Sequence, residues 1–242
     1  MPTPRTRLRL ALLQIRNHGV SLRQEQSCFI ERCRVARRQF TFINLAEDPE
    51  IRWRHVEDAH AVLIGGAGAF SVTSEHPFTA PLREVVLRLI DEDRPVFGSC
   101  WGHQFLAAML GGQVIEDKEC SEVGTFAVTL TPAGVADPLF AEFPETFLVQ
   151  LGHNDRVSEI GPEWDELARS EICPFQAIRL RGKPVYGAQF HGEMNEERLR
   201  ERLLIYLEDY VADEEEHREI LRRLRPSLDA DRLMQTFLEL YA

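Results

Sequence analysis

Residues 95–112 read PVFGSCWGHQFLAAMLGG, and this stretch constrains the chain more than any other. Residues 95–97 have the composition of a short buried strand, and residues 105–110 that of a helix which stops at Gly111-Gly112. Only Gly98-Ser99-Cys100-Trp101-Gly102 and two polar residues lie between, too few for a loop. A strand that turns directly into a helix forces a strained backbone at the apex, so the residues two positions to either side must be very small. Gly98 and Gly102 meet that need, and the apex residue is a thiol. The following helix aims the positive end of its dipole at that sulfur. Cys100 is thereby the candidate nucleophile among five cysteines.

The rest of the chain supplies the sheet that such a turn requires. Residues 8–15, 40–45 and 61–64 read as apolar strands, the last ending at Gly65-Gly66, while 22–38 and 81–91 have helical length and spacing. Strands alternating with helices predict right-handed crossovers around a parallel sheet. From about Glu122 the pattern changes to short strands at 126–131, 146–151, 166–169, 175–180 and 185–189, which partly extend the sheet and partly build a small antiparallel cap. After Met194, residues 198–210, 213–225 and 229–241 read as charged or amphipathic helices, with Ser227 or Asp229 as a cap for the last. The expected fold class is α/β, a mostly parallel central sheet flanked by helices with a small antiparallel β cap and a helical C-terminal extension. The expected division is a catalytic domain over 1–209 and a helical extension over 210–242, and the tail leaves a homo-oligomer or partner contact open.

A formal net charge of −11 argues against nucleic acid or an anionic membrane as partner, since both require clustered cations. The basic run at 34–38 is interleaved with apolar residues and reads as a solvated helix face. The apolar stretch at 8–15 is too short for a membrane span, and nothing resembles a secretory leader, so a cytoplasmic location is expected. Cys28, Cys33, Cys120 and Cys173 form no CxxC pair and no zinc spacing, which predicts plain packing and no metal.

A thiolate that attacks an amide needs a proton donor for the leaving nitrogen. The strand at 185–189 runs into Phe190-His191-Gly192-Glu193. Residues separated by two project to one side of an extended backbone, so His191 and Glu193 can lie side by side. The carboxylate would orient one ring nitrogen while the other faces sulfur. His103, beside the nucleophile on the helix, reads as structural.

Taken together, GSCWGHQ at 98–104, QFHGE at 189–193, IGGAGAF at 64–70 and LGHNDRV at 151–157 resemble the class I glutamine amidotransferase family, most closely the ammonia-supplying domain of GMP synthetases. The resemblance spans roughly residues 8–208. It implies a flavodoxin-like fold, Cys100 as nucleophile, His191 as base and acid, and Glu193 as orienting carboxylate. It further implies an oxyanion hole from the backbone N–H groups of Gly66 and Trp101, with Gln104, His153 and Asp155 at the substrate site. Two departures stand out: the family often has proline where this chain has Gly192 and where it has Ala67. Each exchanges a rigid residue for a freer one.

The chemistry that the resemblance implies is hydrolysis of the glutamine side-chain amide through a cysteinyl thioester, with no cofactor. Ammonia would be released or passed to an acceptor on a partner, such as a synthetase subunit, because this chain has no GxxxxGK[ST] segment. Two alternatives stay open at this point: a stand-alone γ-glutamyl hydrolase or peptidase, and a non-catalytic regulatory subunit of the same fold.

Overall fold

The computed structural model describes residues 3–206 and 214–242. Strand β1 (Leu10–Ile15) is buried at all six positions, as a strand covered on both faces must be. Its side chains alternate between the faces: Leu10 and Leu12 join one core cluster, Ala11, Leu13 and Ile15 the other. With β2 (Phe40–Asn44), β3 (Ala61–Ala67), β4 (Val96–Ser99) and, much later, β11 (Val185–Ala188), it forms a parallel block ordered β2-β1-β3-β4-β11. The nucleophile turn and the segment carrying His191 thus leave neighbouring strands, β4 and β11, at the same end.

Four further strands, β6 (Glu122–Leu130), β7 (Thr146–His153), β9 (Trp164–Arg169) and β10 (Ala177–Leu180), continue this nine-stranded sheet in antiparallel pairs, in the order β10-β9-β6-β7 outward from β11. The small separate sheet is made from β5 (Gln113–Glu116) and β8 (Asp155–Glu159). Neither segment has a strand pattern of its own. All the strands that the sequence does predict belong to the central sheet.

Helix α1 (Gly19–Cys33) packs Phe29 and Cys33 on one face of the sheet. It starts three residues before the predicted helix, where the His18 ring accepts from Val20 N–H at 3.3 Å. It stops at Arg34, whose φ of 51° is left-handed, so the basic run at 34–38 lies beyond the helix rather than on it. Helices α2 (Thr79–Asp91) and α3 (Trp101–Met109) cover the other face with Leu82, Val86, Leu89, Phe105 and Leu106. The short α4 (Pro132–Ala136) lies between β6 and β7.

The C-terminal helices are α5 (Glu196–Ile205), α6 (Glu214–Arg223) and α7 (Leu233–Tyr241). The end of the predicted 198–210 helix and the 209/210 domain boundary lie outside the described residues. Helix α7 buries Leu233, Met234, Phe237 and Leu238 in the same cluster as Phe29, and Phe237 meets Phe97 of β4 edge-on at 5.3 Å. Neither Ser227 nor Asp229 caps it. The Ser227 hydroxyl instead accepts from Gln150 Nε2 at 3.1 Å. No described helix is long and apolar enough to cross a membrane.

Candidate active site

Cys100 sits between the last residue of β4 and the first of α3 with φ 52° and ψ −102°, a conformation that L side chains rarely adopt. Its N–H donates to Ala188 O of β11 at 2.8 Å, which ties the apex to the neighbouring strand. The flanking glycines are a steric requirement. A Cβ on Gly98 would fall 2.5 Å from the Gly102 carbonyl, and one on Gly102 would fall 2.5 Å from Ile64 O of β3. Both obstacles are backbone atoms that no rotamer change removes. α3 begins at Trp101, four residues earlier than its apolar pattern predicts.

His191 and Glu193 do meet, with Nδ1 donating to Oε1 at 2.7 Å. They meet for a different reason from the one the sequence suggests: β11 ends at Ala188, and both residues lie in a turn closed by Met194 N–H on His191 O at 3.2 Å. The second carboxylate oxygen of Glu193 accepts from Ser99 Oγ at 2.7 Å. Cys100, His191 and Glu193 are all buried. At His191, burial disfavours the charged ring, but the Glu193 charge, the Cys100 sulfur and hydrogen bonds to both outweigh it and raise its pKa to about 9. Glu193 is held below the usual carboxylate range: burial pushes it up, and the His191 charge with hydrogen bonds from His191 and Ser99 overcomes that push.

Gly66 lies at the end of β3, where an added Cβ would stand 3.5 Å from Cys100 Cβ and 3.3 Å from His191 Cε1. Trp101 is the first residue of α3, so its N–H belongs to the helix-end amides without an intrahelical acceptor. Behind Gly66 runs a buried ion pair, Arg16 Nη2 to Glu25 Oε1 at 2.6 Å, with both side chains at most 1% exposed.

A cleft of about 400 Å³ opens beside Cys100, lined among others by Gly68, Phe70, Trp101, Gln104, Glu116 and Asp155. A larger hollow of about 670 Å³, lined by Thr3, His60 and Tyr241 among others, has no cysteine among its lining residues. Gln104 Nε2 donates to Asp155 O at 2.7 Å and to Gln189 Oε1 at 3.1 Å, and Gln189 Nε2 in turn points at Cys100 Sγ from 3.7 Å. The Asp155 carboxylate takes a hydrogen bond from Ser71 at the mouth. His153 also borders the cleft, but its ring nitrogens face inward, Nδ1 to Asp155 O at 3.0 Å and Nε2 to Glu122 Oε2 at 3.1 Å.

All eight residues singled out from sequence therefore lie at or beside one cleft. Four that the sequence does not single out also contact these residues: Ser99 and Gln189, which stand inside the quoted motifs, and Arg16 and Glu25, which carry no local signal. His103 is fully buried under Gly187 on α3, and burial lowers its pKa to about 3. It is a neutral packing residue.

Comparison with known proteins gives the family to which this fold belongs. A glutamine-hydrolyzing GMP synthase of Vibrio atlanticus is 36% identical over 132 residues, covering 54% of this chain and 24% of that protein. This chain thus spans about a quarter of the length of such full-length relatives. A shorter relative, the glutamine-hydrolyzing GMP synthase subunit of Thermoplasma volcanium, is 28% identical over 172 residues, covering 71% of this chain and 80% of the relative. In fold, the chain superimposes on a glutamine amidotransferase of Thermotoga maritima with a TM-score of 0.75, at 21% identity and 97% coverage of both chains. The family model "Glutamine amidotransferase class-I" matches residues 24–206, and the chain belongs to that family.

Proposed function

We propose that this chain hydrolyses the side-chain amide of glutamine through a thioester on Cys100, and that the ammonia is delivered to a synthetase carried on a separate polypeptide. The observation that carries the reading is the hydrogen-bonded series Ser99, Glu193, His191, whose ring shares the space beside Gly66 with Cys100 at the apex of a strained turn. Such a series raises the pKa of the His191 ring to about 9, so that an imidazolium stands beside the sulfur at neutral pH, the proton donor that a cysteine nucleophile needs.

The Cys100 thiolate attacks the δ-carbon of glutamine, and the carbonyl oxygen takes up the negative charge between the N–H groups of Gly66 and Trp101. His191 gives its proton to the amide nitrogen, the C–N bond breaks, and ammonia leaves a γ-glutamyl thioester. The now neutral His191 removes a proton from water, hydroxide adds to the thioester carbon, and the C–S bond breaks to return thiolate, imidazolium and glutamate. Glu193 stabilises the imidazolium at both ends of the cycle without itself taking the proton. Glu116 and Asp155, with no Lys or Arg among the cleft-lining residues, suit the α-ammonium group of a free amino acid. The delivery step draws support from the similarity to a subunit of the GMP synthase of Thermoplasma volcanium.

The test is glutamate release by the purified chain from glutamine and from a set of γ-glutamyl peptides, with Cys100→Ala as control. Turnover of glutamine that vanishes in the variant is the expected result. Activity that survives the substitution would remove Cys100 from the mechanism, and faster hydrolysis of the peptides than of glutamine would replace the amidotransferase reading with a γ-glutamyl hydrolase.

A further inference from the structure

Beside the cleft, β6 and β7 place Glu122 directly opposite His153 in the ladder. Cys173, from the loop between β9 and β10, completes a buried trio whose donor atoms all lie within 4.8 Å of one another. We propose that Glu122, His153 and Cys173 form a binding site for a divalent transition metal of the zinc class.

The hydrogen bonding inside the trio leaves one contact in want of a proton or a cation. His153 Nδ1 faces a backbone carbonyl, Asp155 O, at 3.0 Å, and a carbonyl only accepts, so the ring proton of a neutral His153 resides on Nδ1. Nε2 then presents its lone pair to Glu122 Oε2 at 3.1 Å. Two acceptors face each other in a site where Glu122 is fully buried. Gln176 Nε2 donates to that same Oε2, while the other carboxylate oxygen, Oε1, is buried without a hydrogen-bond partner among the described residues. An orphaned buried carboxylate oxygen has lost its water without gaining a partner, which disfavours the site as it stands.

A second proton on His153 would relieve the Nε2–Oε2 contact alone. A divalent metal accounts for the orphaned oxygen as well, and it would draw in the Cys173 sulfur, which otherwise donates to Pro174 O at 3.6 Å. It would accept one oxygen, one imidazole nitrogen and one thiolate, and its two positive charges would cancel the carboxylate and the thiolate, leaving a neutral buried cluster. The mixed O, N and S donors exclude magnesium and calcium and suit zinc, or cobalt as its spectroscopic substitute. The Nδ1–H to carbonyl bond is the outer contact by which metal-ligating histidines are commonly oriented. Entry is available from the cleft, which His153 borders. The ligands stand 31 and 20 residues apart in sequence (153 − 122 and 173 − 153), which is why no metal spacing is visible there. A metal here would pin β6, β7 and the β9–β10 loop behind Gly152, whose carbonyl is 4.0 Å from Cys100 Sγ.

The experiment uses the full chain with Cys100→Ser, so that the nucleophile cannot bind metal, and titrates it with zinc by equilibrium dialysis and with cobalt by absorption. The expected result is one zinc per chain and a thiolate-to-cobalt charge-transfer band. Cys173→Ser in the same background should abolish the band and weaken zinc binding by more than about 100-fold. Glu122→Gln should weaken zinc but keep the band, a readout that a merely misfolded variant would not give, and circular dichroism verifies the fold of each. Absence of stoichiometric zinc, or a band that survives Cys173→Ser, overturns the proposal and leaves Glu122 and His153 as a buried hydrogen-bonded pair.

Discussion

Glu193→Gln keeps the shape of a fully buried side chain and removes its charge. Burial is the largest single influence on His191 and favours the neutral ring, yet the ring titrates at about 9 against the usual 6.5 because the Glu193 charge, the Cys100 sulfur and their hydrogen bonds more than compensate. That difference is worth about 3 kcal/mol in favour of the imidazolium. Since the folded pKa lies above the unfolded one, this stabilisation is complete below pH 6.5 and is lost as the pH rises through about 9. Glu193 contributes with the opposite sign: its pKa is depressed below 4.5, so its share is present above that value and is lost on acidification. In the variant, burial acts on His191 without its main counterweight, and the midpoint should fall by about two units or more. Histidine ring resonances followed by NMR from about pH 5 to 10 report that midpoint directly. The alkaline limb of glutamine hydrolysis should move with it. A midpoint within about half a unit of the native one, in a variant that still melts cooperatively, would refute the claim that Glu193 holds the imidazolium.

Two further substitutions test how the site is supported. Arg16→Met breaks the ion pair with Glu25, in which both partners are at most 1% exposed, and leaves the buried carboxylate its hydrogen bond from Gln14 but no Arg16 counter-charge. Urea unfolding should show a loss of about 3–5 kcal/mol, and a loss below about 1 kcal/mol would mean that the pair behaves like a surface one. Gly192→Ala brings a Cβ to 2.7 Å from Leu233 Cδ2, a side-chain end that can give way, so the expected loss is about 1–3 kcal/mol. Combined with Leu233→Ala, the two losses should fall short of their sum by at least about 0.5 kcal/mol, and strict additivity would mean that the contact has no energetic weight.

The elbow is legible in the sequence because it is local. Gly98, Cys100 and Gly102 announce a strand-to-helix turn within five residues, and the same backbone crowding reappears as the 2.5 Å contacts that forbid a Cβ at either glycine. The parallel strands are legible because continuous apolar runs have few other fates. What escapes a sequence reading is whatever depends on distant partners. Segments 113–116 and 155–159 are strands only because they pair with each other. The end of α1 falls short of its predicted place because helical spacing continues past Cys33, while the left-handed Arg34 that terminates it has no signature in a non-glycine residue. Arg16 and Glu25 resemble ordinary surface charges, since periodicity does not distinguish a solvated charge from one buried against its counter-ion. The pairing of His191 with Glu193 follows from an argument about extended strands, although a turn brings them together.

The C-terminal segment, beyond the residues matched by the family model, reaches the site by two routes. Gln150 Nε2 donates to Arg225 O at 2.8 Å and to the Ser227 hydroxyl at 3.1 Å, while Gln150 O receives the His191 N–H at 2.9 Å. In parallel, Leu233 of α7 occupies the space that a side chain at position 192 would need. Glycine between His191 and Glu193 raises the backbone entropy lost on folding by about 0.5–1 kcal/mol relative to alanine. Full burial of Leu233, which is 0% exposed, returns about 1.5–3 kcal/mol. The packing is the larger quantity, so α7 can restrain from outside the turn that proline would stiffen from within. It follows that the orientation of His191 and the docking of α7 are one cooperative unit. Loosening the helix should disorder the pair at His191 before it disturbs the Gly98–Gly102 elbow, whose constraints are steric and local.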